Sequence, residues 1–193
     1  MSTTTLAERQ ADFTRQVILA AALDTLERGS LADLTVRAVA KRANLAERTV
    51  FRYFADREAF LDGVAAALSE RLHLPAPPTS MAQLLAAPRA LYERFEDESS
   101  LTRAALHTDL FHRMRAMHAR PRTTAVRKLL DELAPRRTER ERRIATANIR
   151  HYLQASTWHY YRFYFDFSLE DTIAAAETAI RDALVGLKAG LAK

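Results

Sequence analysis

Apolar residues recur every three or four positions along most of the chain, and this spacing constrains the fold more than any other feature. One run consists of Phe60, Leu61, Val64, Leu68 and Leu72, which share one face of an α-helix with 3.6 residues per turn. Stretches that alternate apolar and polar residues, as half-buried β-strands do, are missing. Only 4 Gly and 6 Pro interrupt the 193 residues. We therefore predict an all-α fold.

The composition excludes several classes of protein. The chain has no cysteine, which rules out disulfide frameworks, thiolate metal sites and cysteine nucleophiles. Its first residues, MSTTTLAERQADF, contain no apolar stretch typical of a signal peptide, and no run of about 18 apolar residues occurs that could span a bilayer. We expect a cytoplasmic protein with no membrane partner.

One proline-rich stretch divides the predicted helices into two groups. The run LPAPPTS at 74–80 is the only linker-like segment, so we predict an N-terminal domain at 1–73, a linker at 74–80 and a second domain at 81–193. The first domain is predicted to contain a helix over 12–28, two short helices after Thr35 and after Asn44, and a helix capped by Asp56. In the second domain, helices are predicted over 81–97 with an interruption at Pro88, then over 100–118, 121–133, 137–165 and 169–189.

The segment TVRAVAKRANLAERTVFRYFADREAFL, at 35–61, is predicted to form a helix-turn-helix. Thr35 is suited to cap the first short helix, because its hydroxyl can accept a hydrogen bond from a free backbone N–H. Asn44 is the non-glycine residue best suited to a left-handed turn. Two short helices joined by a turn of three residues follow from these two signals.

Charge is concentrated on this segment. Residues 1–73 carry 10 basic and 10 acidic side chains, yet 35–57 alone has a net charge of +4. Val50 can face the other helices of the domain while Arg48, Thr49 and Arg52 project outward. Guanidinium groups bind phosphate or the guanine edge in two-point contacts, and Arg57 lies in the first turn of the next helix, where an anion is favoured. The pattern predicts a DNA-binding surface.

An ordered set of residues over about 12–62 resembles the DNA-binding domain of the TetR family. The matching positions are Arg15, Ile18, Leu19, Ala21, Ala22, Gly29, Leu34, Thr35, Val36, Val39, Ala40, Asn44, Leu45, Thr49, Val50, Phe51, Phe54, Arg57 and Glu58. The resemblance implies DNA contacts by Thr35, Arg37, Arg48, Thr49, Phe51, Tyr53 and Arg57, to which the outward position of Arg52 adds an eighth. It also implies a homodimeric repressor that a small-molecule effector releases from a palindromic double-stranded DNA operator.

The sequence departs from the family pattern at several positions. Phe51 stands where tyrosine is usual, which removes a hydroxyl that could bond phosphate, and Tyr53 is a nearby substitute. Asn44 stands where glycine is usual. Ala46 provides no capping oxygen where serine is frequent, which costs about 1 kcal/mol of helix stability.

The second domain is predicted to hold the ligand and the dimer interface. A helix over 138–165 would be apolar on two opposite sides and would need a layer on each; in a chain this short, the second layer can come from another subunit. The predicted interface consists of Trp158, Tyr161, Phe165, Ile173, Ile180 and Leu184. The TetR resemblance agrees, since its members dimerise through their last two long helices. Pairing also gives two reading helices for one palindrome.

Apolar residues between the linker and these helices are candidates for a ligand pocket, and ordinary core packing explains them equally. They are Tyr92, Phe95, Leu106, Phe111, Met114, Met117 and Tyr152. The histidines at 107, 112 and 118 lack both the i, i+4 spacing and the carboxylates of a metal site. We therefore predict neither a metal nor another cofactor.

Two other classes of function stay open. No nucleophile elbow, phosphate loop or HExxH motif is present, so we predict no enzyme activity and no catalytic residue. A helical adaptor is the other alternative: residues 110–150 contain 12 basic and 4 acidic side chains, a net charge of +8, which could bind an acidic partner. The same charges could also pair among themselves.

Overall fold

The structure is a computed structural model that describes residues 5–29, 31–106 and 108–190. In these residues it contains helices and no strand, which confirms the all-α prediction. The helices are α1 (Leu6–Arg28), α2 (Val36–Arg42), α3 (Glu47–Tyr53), α4 (Arg57–Leu72), α5 (Met81–Asp97), α6 (Ser99–Leu106), α7 (Asp109–Leu133), α8 (Glu139–His151), α9 (Ala155–Tyr164) and α10 (Leu169–Ala189), with a short 3-10 helix at Leu31–Asp33.

The chain forms two compact units. The first contains the residues up to Arg71 together with Ser100–Met114, and the second contains Leu72–Ser99 and the residues from Arg115 onward. Our sequence-based boundary follows chain order and assigned 100–114 to the second domain. The structure groups this segment with the first unit. A single boundary in the sequence cannot describe a unit that is formed by two separate segments of the chain.

Helix α1 begins earlier than the apolar pattern predicts. Thr5 and Glu8 form a reciprocal capping box, in which the Glu8 N–H donates to Thr5 Oγ1 at 3.2 Å and the Thr5 N–H donates to the Glu8 carboxylate at 2.7 Å. We placed the start at Asp12 because the apolar stripe begins at Phe13, a residue that is 62% exposed. The cap, and not the stripe, determines where the helix begins.

The first unit buries one apolar side of each of its first four helices. Phe54, which is 2% exposed, packs edge-on against Phe60 with ring centroids 5.5 Å apart. Gly63 allows this approach, because a Cβ atom there would lie 2.6 Å from Phe54 Cε1. The other central side chains of this core are Ile18, Leu26, Val39, Val50 and Val64, all 0% exposed.

The second unit is arranged around α10, which packs against α5, α8 and α9. Its buried side includes Ile173, Ile180 and Leu184. Two prolines that we expected to break helices lie inside continuous ones: Pro88 in α5 and Pro121 in α7. Both predicted interruptions are wrong, because a proline removes one backbone donor and the rest of the helix can persist around it.

The predicted single helix over 137–165 is also wrong, since the chain is divided there into α8 and α9 at residues 152–154. Side chains donate hydrogen bonds to the backbone carbonyls at the end of α8. The Tyr92 hydroxyl donates to the Tyr152 carbonyl at 2.7 Å, Gln154 Nε2 donates to the Arg150 carbonyl at 3.2 Å, and the Thr157 hydroxyl donates to the His151 carbonyl at 2.6 Å. A helix can end without glycine or proline when polar side chains satisfy its terminal carbonyls.

Candidate functional site

The turn between α2 and α3 has the geometry that the sequence predicts. Thr35 Oγ1 accepts a hydrogen bond from the Ala38 N–H at 3.1 Å and so begins α2. Asn44 has a φ of 54°, in the left-handed region, and the N–H of the next residue, Leu45, donates to the Ala40 carbonyl at 2.9 Å. This cap ends α2, and the four residues 43–46 lead into α3, one more than the predicted turn of three.

Helix α3 has one buried side and one open side. Val50 is fully buried, and the hydrophobic contact holds the helix against the unit. Arg48 and Arg52 are exposed, Phe51 is 51% exposed and Thr49 is half-buried. We call the surface formed by Arg48, Phe51 and Arg52 the reading face. Ala46, at the start of α3, makes no side-chain capping bond, as predicted.

The arginines around the reading face have no carboxylate partner among the described residues. Arg37 and Arg57 are exposed like those of α3, and none of the four forms an ion pair in that part of the chain. Arg42 is different, because it binds Asp24, whose other oxygen accepts from Arg28 Nε at 2.7 Å. These bonds lower the pKa of the Asp24 carboxyl, the contact with Arg42 most. Unpaired guanidinium groups at a surface are free to bind phosphate or base edges.

Tyr53 is tied to α1 in this structure. It is half-buried, a side-chain hydrogen bond with Thr14 lowers the pKa of its phenol, and the Arg52 guanidinium carbon lies 5.3 Å from the centroid of its ring. The Tyr53 ring therefore positions Arg52. Phe51, by contrast, offers an open apolar ring without a hydroxyl.

The first turn of α4 is anchored by a residue that our sequence reasoning missed. Asp56 caps the helix by accepting from the Ala59 N–H at 2.7 Å, as predicted. Arg113, which belongs to the first unit, binds the carboxylates of Glu58 and Asp62, and both contacts raise its pKa. Glu58 follows Arg57 directly, so this pair of contacts helps to hold the position of Arg57. No sequence pattern joins residues this far apart.

The residues predicted to line a ligand pocket divide between the two units. Leu106, Phe111 and Met114 belong to the first unit, whereas Tyr92, Phe95, Met117 and Tyr152 belong to the second. A cavity of about 290 Å³ lies in the second unit, and none of the seven lines it. Tyr92 is fully buried, and this burial raises its pKa. We predicted these positions only because they are apolar, and residues that pack in a protein core are apolar as well.

Four of the six predicted interface residues are core residues of the second unit, which corrects our expectation. They are Trp158, Ile173, Ile180 and Leu184, all 7% exposed or less. Trp158 Nε1 donates to a Glu96 oxygen at 2.9 Å, and Arg162 binds the same carboxylate at 2.6 Å. These bonds lower the pKa of Glu96, that from Arg162 most. A side chain already covered within one chain has no surface left to bury against a second.

The aromatic residues near the end of α9, in contrast, are exposed to solvent. Tyr160, Phe163, Tyr164 and Phe165 are 50%, 41%, 74% and 53% exposed. Tyr161, which we predicted at the interface with Phe165, is half-buried and stacks on Phe167 with ring centroids 5.7 Å apart. We call Tyr160, Phe163, Tyr164 and Phe165 the aromatic surface. A group of exposed aromatic residues in one short segment is a candidate interaction surface.

Two further findings concern metals and membranes. Among the described residues, no group of three histidine or acidic side chains is arranged to hold a metal ion; His107 lies outside those residues. In the same part of the chain, none of the helices is both long and apolar enough to cross a bilayer.

Comparison with known proteins identifies the first unit. Residues 18–64 match the family model described as bacterial regulatory proteins, tetR family. No curated protein matches the chain. The matched segment runs from the buried Ile18 of α1 to Val64 of α4 and includes all of α2 and α3. The first unit therefore contains a DNA-binding domain of the kind found in bacterial regulatory proteins of the tetR family, and the match covers residues 18–64 of the 193.

Proposed function

We propose that the protein is a transcriptional repressor that binds a palindromic operator as a homodimer and leaves it when a small molecule binds. The observation that carries this proposal is the reading face: an exposed helix surface with two arginines that have no acidic partner among the described residues. Such a surface has the positive charge and the hydrogen-bond donors that a DNA major groove accepts.

In the proposed complex, α3 enters the major groove. An α-helix with its side chains is about 10–12 Å across, and the major groove is about 12 Å wide, so α3 fits across it. Arg48 and Arg52 bond base edges or phosphates, and Phe51 contacts sugar or a thymine methyl group. The Thr35 oxygen accepts a hydrogen bond in the α2 cap, which leaves its O–H free to act as a donor. Thr35 can therefore donate to a phosphate beside Arg37 and Arg57.

The dimer contact is proposed to involve the aromatic surface and the outer side of α10. On α10 the exposed positions include Ala174, Thr178 and Val185, the last 65% exposed, opposite the buried side that faces its own chain. Small residues next to aromatic ones allow two helices to approach closely. This face replaces the buried residues that the sequence suggested.

Ligand control is proposed from the cavity of the second unit and from the usual mode of the family. In a two-state mechanism, a ligand that binds more tightly to one arrangement of the dimer shifts the population toward it. Operator affinity falls if that arrangement changes the spacing of the two reading faces.

The adaptor alternative is weakened by ion pairs within the basic segment 110–150. Arg113 binds Glu58 and Asp62, Arg127 binds Asp131 and Glu139, and Arg142 binds Asp131. Arginines that already have carboxylate partners provide less attraction for an acidic protein.

Selection of bound sequences from a random DNA pool tests the proposal. We expect a palindrome whose half-sites lie about one helical turn, or a small multiple of it, apart. The Arg48→Ala variant should lose this binding, while Arg140→Ala, an exposed arginine of α8, should keep it. Enrichment of no sequence, or equal binding by both variants, would overturn the proposal.

The oligomeric state is tested separately by analytical ultracentrifugation. Tyr164→Glu should turn a dimer into a monomer, because it places a charge in the proposed contact. Leu6→Glu, at a residue of α1 that is also 74% exposed, is the matched control. A monomeric parent protein, or a dimer that survives Tyr164→Glu, would contradict the interface.

A further inference from the structure

The cavity of the second unit has an unusual combination of an apolar wall and two cationic groups. Its volume is about 290 Å³, and its wall is formed by the loop at 75–78, by α5, by α7 and by the end of α8. None of the acidic residues that the structure describes lines it. The apolar part of the wall includes Ala87, Leu91, Val126 and Leu153, and the cationic part consists of Arg122 and Arg150.

These two arginines lack a counter-charge in the described part of the chain. Arg122 donates to the backbone carbonyl of Pro75 at 2.5 Å, a neutral acceptor, and Arg150 forms no ion pair there. Burial lowers the pKa of Arg122. Burial and the nearby positive charges of Arg122 and Arg115 lower the pKa of Arg150 to about 10. Like charges in a half-buried site repel each other, and the protein itself does not relieve this repulsion.

Other half-buried arginines of the same unit are paired. Arg162 binds Glu96 at 2.6 Å, and Arg142 binds Asp131 at 2.8 Å. The fold therefore supplies carboxylates to comparable arginines, but not to those of the cavity. A half-buried cation without a partner is costly, and a bound anion would remove that cost.

We propose that this cavity binds a small organic carboxylic acid, with its carboxylate between Arg122 and Arg150 and its hydrocarbon body against the wall of α5 and α7. Guanidinium groups bind a carboxylate through paired, charge-assisted hydrogen bonds. The remaining wall is mostly alanine, leucine, valine and proline, which suits a hydrocarbon body. The inference rests on the proposed function in one respect, namely that this acid is the effector that controls DNA binding.

The volume limits the size of the acid. Ligand pockets in proteins occupy about 300–1,000 Å³, so this one lies at the lower end. A compact acid with one charged group fits these dimensions, whereas a nucleotide or a coenzyme thioester does not.

Calorimetric titration of the full chain, without DNA, tests the site. The probes are octanoate, decanoate and 1-naphthoate, each compared with the alcohol of the same skeleton. We expect at least one acid to bind at least about tenfold more tightly than its alcohol, because only the acid forms charge-assisted bonds. Arg150→Gln should remove this preference, and Arg150→Lys should restore part of it.

Arg140→Gln is the matched control, since Arg140 lies on the same helix, is exposed and does not line the cavity. It should leave acid binding unchanged. The inference is overturned if no acid binds better than its alcohol, or if Arg150→Gln and Arg140→Gln give the same affinities. Arg150→Gln is preferred over a change at Arg122, because Arg122 also bonds the Pro75 carbonyl.

DNA binding by the same preparations separates this inference from the proposed function. If the ligand-free protein binds DNA and no acid binds, the cavity assignment fails alone. If an acid binds but the protein recognises no DNA, the regulator proposal fails and the acid site stands. If both bind and the acid leaves DNA affinity unchanged, the effector role is the part that fails.

Discussion

The arginines of the reading face and those of the cavity share a lack of acidic partners within residues 5–29, 31–106 and 108–190 but differ in their contact with solvent. Arg48 and Arg52 are exposed, whereas Arg122 and Arg150 are half-buried. Water stabilises an exposed guanidinium, so leaving it unpaired costs little and keeps it available for a polyanion. A half-buried guanidinium has lost part of that hydration and gains more from a single anion that fits beside it. The same residue type therefore suits two kinds of ligand, according to its depth.

The largest expected effect is on DNA binding. Replacing Arg48 and Arg52 together by alanine should weaken operator binding about 100-fold or more, since each base contact contributes about 1–3 kcal/mol. Where the lost contacts are to phosphate, the slope of log affinity against log salt should also fall by about one per contact. Fluorescence anisotropy over a salt series measures both quantities.

The double variant Arg136→Ala/Arg140→Ala serves as its control, because both residues are exposed and lie in the second unit. Equal losses in the two double variants would mean that general positive charge binds the DNA. The distinction between the reading face and the rest of the surface would then disappear.

A paired arginine can be converted into an unpaired one. Glu96→Gln removes the negative charge beside Arg162 and weakens the acceptor of Trp158 Nε1, which should lower the free energy of unfolding by about 1–3 kcal/mol. Chemical denaturation measures this change. An unchanged stability would show that pairing of half-buried arginines matters little in this fold, and would also weaken the case for the cavity.

The same pair predicts a dependence on pH. Its bonds to Arg162 and Trp158 lower the pKa of Glu96 in the folded chain from the ordinary glutamate value of 4.5. Its stabilising contribution is therefore complete above about pH 4.5 and is lost as the pH falls through the lower, folded-state value. Glu96→Gln should reduce the loss of stability in this acid range and leave its slope near pH 7 unchanged.

Removing an unpaired arginine should affect stability much more at the half-buried position than at the exposed one. Arg150→Met keeps an apolar stem and relieves the repulsion from Arg122, so it should raise the stability of the ligand-free protein by about 1 kcal/mol. Arg48→Met, at an exposed position, should change stability by less than about 0.5 kcal/mol. Thermal unfolding of both variants distinguishes them, and a destabilising Arg150→Met would show that Arg150 has a structural partner.

The smallest expected effect concerns the missing cap of α3. Ala46→Ser supplies a hydroxyl where no side chain caps the helix, and should raise stability by about 0.5–1 kcal/mol. Chemical denaturation measures the gain, and Ala55→Ser, at an exposed position just after α3, is the control. If DNA affinity also rises, a preformed reading helix contributes to binding. A gain of the same size in Ala55→Ser would contradict the capping explanation.

Local features of the first unit were predicted well because neighbouring residues produce them. The Thr35 cap, the left-handed Asn44 and the Asp56 cap each involve atoms no more than five residues apart. The buried Val50 and the exposed Arg48 follow from the period of one helix. The second unit was predicted less well, because its break at 152–154 depends on the hydroxyl of Tyr92, 60 positions away from the carbonyl that it bonds.

The sequence by itself determined the helical class, the helix-turn-helix and the side of α3 that faces outward, since helical period and capping act over one or two turns. Only the tertiary structure decided that Trp158 belongs to the core and that Glu96, 62 residues earlier, holds it there. It also decided which arginines have partners and which line a cavity. Burial and ion pairing depend on distances in space, and residues far apart in the chain become neighbours only after folding.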